Sequence, residues 1–135
     1  MNRRMLSKDD EATGGDEVEV RREDQDKINK FSRLHQRELL LEEELKSKNK
    51  EKEELDDVTL ELELADEDET VPYKIGDAFF HMPLSQAQDM LASSTSRIEE
   101  EVSELEDKIG TTKEEMQQLK VELYARFGRS INLET

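Results

Sequence analysis

Leu84, Gln88, Leu91, Thr95, Ile98, Val102, Leu105, Ile109, Thr112, Met116, Leu119 and Leu123 follow one another at alternating steps of four and three residues. A mean step of 3.5 residues is the seam of a left-handed coiled coil, because it keeps one stripe facing a partner helix as both wind around each other. Ser85 with Gln88, after Pro83, matches a capping box at the start. Gly128 can take the left-handed conformation that stops a helix just after Phe127. The pattern predicts a helix over about 86–127, weakened by Gly110, which costs about 1 kcal/mol relative to Ala. An earlier stripe is less regular. Phe31 and Leu45 fit a positions, and Leu34, Leu41, Leu55 and Leu62 fit d positions, but Glu38 and Lys52 also fall on a and Lys48 on d. This predicts a helix from about residue 23 to 65 that packs loosely in its middle, with Val58 suggesting a change of register near Leu55. The run Leu60-Glu61-Leu62-Glu63-Leu64 alternates with period two, which a strand would also show; helix is the preferred reading, followed by a solvated acidic connector over 66–69.

Between the helices the period changes. Residues 71–75 and 78–82 read as short strands around Gly76-Asp77, with Gly first as a type II′ turn requires. If Ile75 faces Ala78, then Tyr73 faces Phe80 and Val71 faces Met82, and all six side chains share one apolar face. Lys74 and His81, beside Phe79, take the other. Two helices of roughly equal length, about 60 Å each at 1.5 Å per residue, suggest that they fold back on each other. The expected fold is mostly α: an antiparallel two-helix coiled coil with a central β-hairpin at the closed end and both termini at the open end. Its expected organisation is a disordered acidic tail over 1–22, the coiled coil over 23–127 with the hairpin at 71–82, and a flexible C-terminal tail over 128–135. A lone hairpin with a bare apolar face is marginal in water and its edges invite further strands, so association with other chains is expected.

Composition narrows the function. The chain has 135 residues, a net charge of −16 and 41% charged positions. Leu, Ile, Val and Phe make up about 23% of it, close to the roughly 20% below which highly charged chains stay disordered. Narrow helical seams, rather than a large core, are what such a chain can bury. The charge repels phosphate backbones and anionic lipid, and Arg21-Arg22 is too small a basic patch to offset it, so neither nucleic acid nor membrane is an expected partner. Zero Cys removes disulfides, thiolate metal sites and thiol nucleophiles. His35 and His81 stand apart with no metal-ligand spacing, and Asp66, Asp68 and Asp77 miss the glycine and terminal glutamate of a calcium loop. No Gly-rich phosphate loop is present. An enzyme is not expected, nor any cofactor or metal.

Two surfaces remain as candidates. Val71, Tyr73, Ile75, Ala78, Phe80 and Met82 are the candidate assembly residues, expected to form β-structure with other subunits rather than to pack wholly on this chain's helices. At the open end, Ile28, Phe31, Tyr124, Phe127, Ile131 and Leu133 are candidate contacts for a client polypeptide. The last two lie beyond Gly128, where a stable core is not expected to cover them, and loss of 130–135 is expected to weaken client protection.

Three stretches resemble a known family: EDQDKINKF (23–31), LADEDETVPYKIGDAFF (64–80) and LKVELYARFGRSINLE (119–134). Together they look like the prefoldin subunit 4 family, beta-type subunits of the eukaryotic prefoldin co-chaperone. The resemblance covers about 23–134. It implies a heterohexamer of two alpha-type and four beta-type subunits, whose hairpins build a β-barrel platform carrying coiled-coil tentacles. It implies that tentacle ends hold non-native polypeptides, notably actin and tubulin chains, and pass them to the cytosolic chaperonin without ATP hydrolysis. The expected compartment is the cytoplasm, with a nuclear presence left open. A generic acidic coiled-coil scaffold, or an acidic chaperone for basic proteins, remains the alternative.

Overall fold

A computed structural model of the chain describes residues 19–66, 70–75 and 77–134. Residues 1–18 of the expected tail over 1–22, most of the acidic connector, and Gly76 of the hairpin turn lie outside the described residues. Two long helices, α1 (Arg22–Glu63) and α2 (Leu84–Phe127), flank an antiparallel hairpin of β1 (Thr70–Ile75) and β2 (Ala78–Pro83). A 3₁₀ turn, Gly128–Ser130, follows α2.

Helix α1 begins where Asp24 reaches back to accept the backbone N–H of Arg21 at 3.0 Å, while the N–H of Gln25 donates to the Arg21 carbonyl at 3.0 Å. This is the reciprocal half of a capping box, with Asp in the place usually held by Glu or Gln. The Leu60-Leu62-Leu64 alternation is helical: only Leu62 is buried, whereas a strand face would have buried all three. The helix tightens at its end, with Leu64 and Ala65 donating to the carbonyls three residues back. No register change occurs at Val58, which is exposed; Thr59 takes the seam position instead, its hydroxyl donating to the Leu55 carbonyl at 2.8 Å. The β-branched residue that looked like a seam member is simply a neighbour of the real one.

Helix α2 starts at Leu84, two residues before the expected start at about 86. It follows directly from Pro83, so Ser85 lies inside the helix and no capping box forms with Gln88. Burial of Leu84, Ala87 and Leu91 sets the phase of this first stretch and turns Gln88 outward. From Leu91 to Leu123 the 3.5-residue seam runs as expected, with Ile98, Val102, Leu105, Ile109, Thr112, Met116 and Leu119 all buried. Thr112 satisfies its hydroxyl on the Lys108 carbonyl, 2.8 Å away.

The chain forms two compact units, residues up to 42 with 107 onward, and residues 43–106. In the first, ion pairs join Lys27 to Glu122 (3.3 Å), Lys30 to Glu115 (4.0 Å) and Glu42 to Lys113 (3.6 Å). As one number rises the other falls, so the helices there are antiparallel. Exposed pairs of this kind contribute about 0.2–1 kcal/mol each, and their main effect is to select direction and register. Its core is Ile28, Phe31, Met116, Leu119, Leu123 and Phe127, joined by Ile131 and Leu133. In the second unit Leu62, Val71, Met82, Leu84, Ala87 and Leu91 form the core. Lys48, on a seam position there, is half-buried between Glu101 (3.0 Å) and Glu51 (3.3 Å). Those two carboxylates, Glu101 foremost, hold its ammonium above the ordinary lysine value.

Candidate interaction surfaces

The hairpin has the expected register, with Val71 opposite Met82, Tyr73 opposite Phe80 and Ile75 opposite Ala78. Alternation of side chains along a strand therefore puts all six on one face. The face divides along its length. Val71 and Met82 are buried in the second core, and Tyr73 packs against that core half-buried. Beyond them Ile75, Ala78 and Phe80 are exposed, Phe80 by 50% and Ile75 by 46%. The part nearest the helices packs on this chain, and the part nearest the turn does not. Phe79 on the opposite face is 67% exposed, next to exposed His81 and Lys74. Among the described residues each strand has one partner only, so each also keeps an unpaired edge. An open groove of about 440 Å³ runs beneath the hairpin, bounded by Tyr73, Ile75, Leu55, Met90 and Ile98, with Arg97 and Glu51 at its rim.

The second surface is the unit that brings the start of α1 to the end of α2. Ile28, Phe31 and Phe127 are buried, and Tyr124 is half-buried against them. Ile131 and Leu133 differ from expectation: they are 4% and 3% exposed, folded onto this core rather than left uncovered. Gly128, at φ +57°, allows the chain to leave α2 at an angle a side-chained residue would resist, and the residues after it return to the helices. The N–H of Leu133 donates to the Tyr124 hydroxyl at 3.2 Å. Beside this core lies a charged clasp. Arg126 Nε stands 2.7 Å from Asp24 Oδ1, and another Arg126 nitrogen donates to the Glu19 carbonyl at 2.9 Å. Burial pushes the Asp24 carboxyl up, but the Arg21 N–H and the Arg126 guanidinium together outweigh it and leave its pKa below the ordinary value of 3.8.

Residues 25–130 match the family model described as Prefoldin subunit. The chain belongs to the prefoldin subunit family. Among its relatives, prefoldin subunit 4 of Saccharomyces cerevisiae is 45% identical over 117 residues, covering 87% of this chain and 91% of the yeast protein. Prefoldin subunit 4 of Homo sapiens is 40% identical over 120 residues, covering 88% and 90%. The crystal structure of the prefoldin beta subunit from Thermococcus strain KS-1 superposes with a TM-score of 0.74 over 83% of this chain and 98% of that one, at 15% identity. That likeness is one of fold: two long helices around a hairpin.

For a prefoldin subunit, the clasp is the feature that sequence reasoning missed. Asp24 and Arg126 are ordinary charged residues in a chain full of them, and 102 positions of sequence separate them. Asp24 does carry a weak local signal, since it stands three residues after Arg21 at a helix start, where a carboxylate can cap. Among the described residues, no helix is long and apolar enough to cross a membrane.

Proposed function

We propose that this prefoldin subunit is a beta-type member of a heterohexameric, ATP-independent co-chaperone that captures unfolded polypeptides, actin and tubulin chains among them, and delivers them to the cytosolic chaperonin. Its partners are then alpha-type and other beta-type subunits, its clients non-native chains, and its compartment the cytoplasm. The observation that carries the assembly part is the divided hairpin face. Ile75 and Phe80 stay open beside strand edges that have no partner among the described residues, while the other end of the same face is buried. A two-stranded sheet with exposed aromatics gains by pairing with further strands, which bury those side chains and satisfy its edges. Several subunits joined in this way present several holding surfaces, and linkage makes each further contact with a client intramolecular. Individually weak contacts then retain a client yet let it go.

Mass measurement of the native complex purified through this chain tests the reading. A six-subunit assembly with two alpha-type and four beta-type chains is expected, and it should suppress aggregation of denatured actin without ATP. An isolated chain or a homodimer would refute the assembly. Salt-sensitive binding of basic proteins with no protection of apolar clients would favour an acidic chaperone for basic proteins instead.

A further inference from the structure

The segment after α2 behaves like a bound peptide. Ile131 is extended, at φ −126° and ψ 142°. Ile131 and Leu133 are buried while Asn132 and Glu134 are exposed, the alternation of an extended chain laid against an apolar surface. Its polar links are sparse. Leu133 N–H donates to the Tyr124 hydroxyl, and Glu134 N–H donates to the Asn132 side chain within the segment itself. Among the described residues, no backbone-to-backbone hydrogen bond outside the helices and strands involves 131–134.

We propose that the cluster of Ile28, Phe31, Leu123 and Phe127 is a docking site for an extended polypeptide with apolar side chains two residues apart, and that residues 131–133 are its resident, displaceable occupant. The burial of two aliphatic side chains favours the docked state, and ordering the backbone after Gly128 opposes it by a comparable amount. The strap therefore exchanges readily. It shields the apolar cluster when no client is present, and its chemistry defines what can replace it: an apolar residue, any residue, then a second apolar residue, with one backbone N–H offered to Tyr124. A competing strap lowers apparent affinity in proportion to the time the site spends closed. The external occupant rests on the co-chaperone reading above; the groove and its strap do not.

Fluorescence polarisation of a labelled peptide corresponding to 128–135 tests this, with the assembled complex carrying either the intact chain or one ending at Phe127. The truncated complex should bind the peptide at least tenfold more tightly than the intact one. A peptide with serine in place of Ile131 and Leu133 should not bind. A full-length Ile131→Ser/Leu133→Ser variant, its helicity checked by circular dichroism, should behave like the truncation and covers the case in which truncation disturbs the fold. Unlabelled, reduced and carboxymethylated α-lactalbumin, a permanently unfolded chain, should displace the bound peptide. Equal binding to intact and opened complexes, or no binding to either opened form, overturns the proposal. Retention of α-lactalbumin without displacement of the peptide also overturns it, because clients are then held elsewhere. If the peptide binds as expected but neither complex retains α-lactalbumin, the groove and strap stand and the co-chaperone reading fails.

Discussion

Removing the Asp24 carboxylate should loosen the unit that joins the start of α1 to the end of α2. Two interactions disappear together in Asp24→Ala: the acceptor for the Arg21 N–H at the start of α1, and the charge facing Arg126. Loss of a capping acceptor costs about 0.5–2 kcal/mol. Breaking a fully buried ion pair costs about 3–5 kcal/mol, because the surviving charge is left without water. Here the Arg126 side chain is 30% exposed and also donates to the Glu19 carbonyl, so it can rehydrate. The combined cost should therefore lie near 2 kcal/mol, below the buried limit and above the roughly 0.2–1 kcal/mol of an exposed pair. Asp24→Asn keeps an acceptor and should cost about half as much. Urea unfolding followed by far-ultraviolet circular dichroism measures these values, and a double-mutant cycle with Arg126→Ala isolates the pair, with an expected coupling of about 1 kcal/mol. The pH dependence has a definite sign. The folded pKa of Asp24 lies below its ordinary 3.8, so the stabilisation is fully present above that value and is lost as pH falls through the lowered one. A cost under about 0.5 kcal/mol for Asp24→Ala, or an Arg126 cycle with no coupling, would refute the clasp.

Leu105→Ala should cost about 2–4 kcal/mol, since Leu105 is a buried seam residue and truncation leaves a cavity; an unchanged thermal unfolding curve would contradict the seam. Ile75→Asp with Phe80→Asp should abolish hexamer formation while sparing helicity, because both side chains are largely exposed in the single chain and become buried, unpaired charges only on assembly. Co-purification of this variant with a full set of partners would remove the hairpin from the assembly. Tyr73 is a poorer choice for that test, being packed on the chain's own core. Gly110→Ala should stabilise by about 0.5–1 kcal/mol, as Gly110 sits within α2 at an exposed position with nothing within 4 Å of an added Cβ. A loss of stability would show that Gly110 meets a neighbour the single chain does not contain.

Repeating local patterns made most of the fold legible. A 3.5-residue period in α2, a change to period two at 71–82, and Gly128 after Phe127 each follow from backbone geometry acting over a few residues. Helix, hairpin register and helix end could thus be read without coordinates. The ambiguities were also local ones. Leu60-Leu62-Leu64 satisfies a strand period and a helix seam at once, and burial of Leu62 alone decided between them. Val58 and Thr59 compete for one seam position, and a hydroxyl that can bond back to the Leu55 carbonyl let the polar residue take it.

What the sequence by itself determined, then, is the identity and order of the elements, the register of the hairpin, and, through three separated motifs, the family. Only the tertiary structure decided which apolar residues are covered. Val71 and Ile75 lie on the same strand face with similar side chains, yet one is buried against Leu62, Leu84 and Leu91 while the other stands open, since burial depends on distance from the helices and not on residue type. Ile131 and Leu133 looked like an uncovered tip because Leu123 and Phe127, the apolar residues near them in sequence, form a core with them only together with residues of the other helix. Their partners, Ile28 and Phe31, lie about a hundred positions away, and Asp24 and Arg126 meet across a similar separation. Contacts of that kind arise from bringing distant segments of the chain together, and no short-range period encodes them.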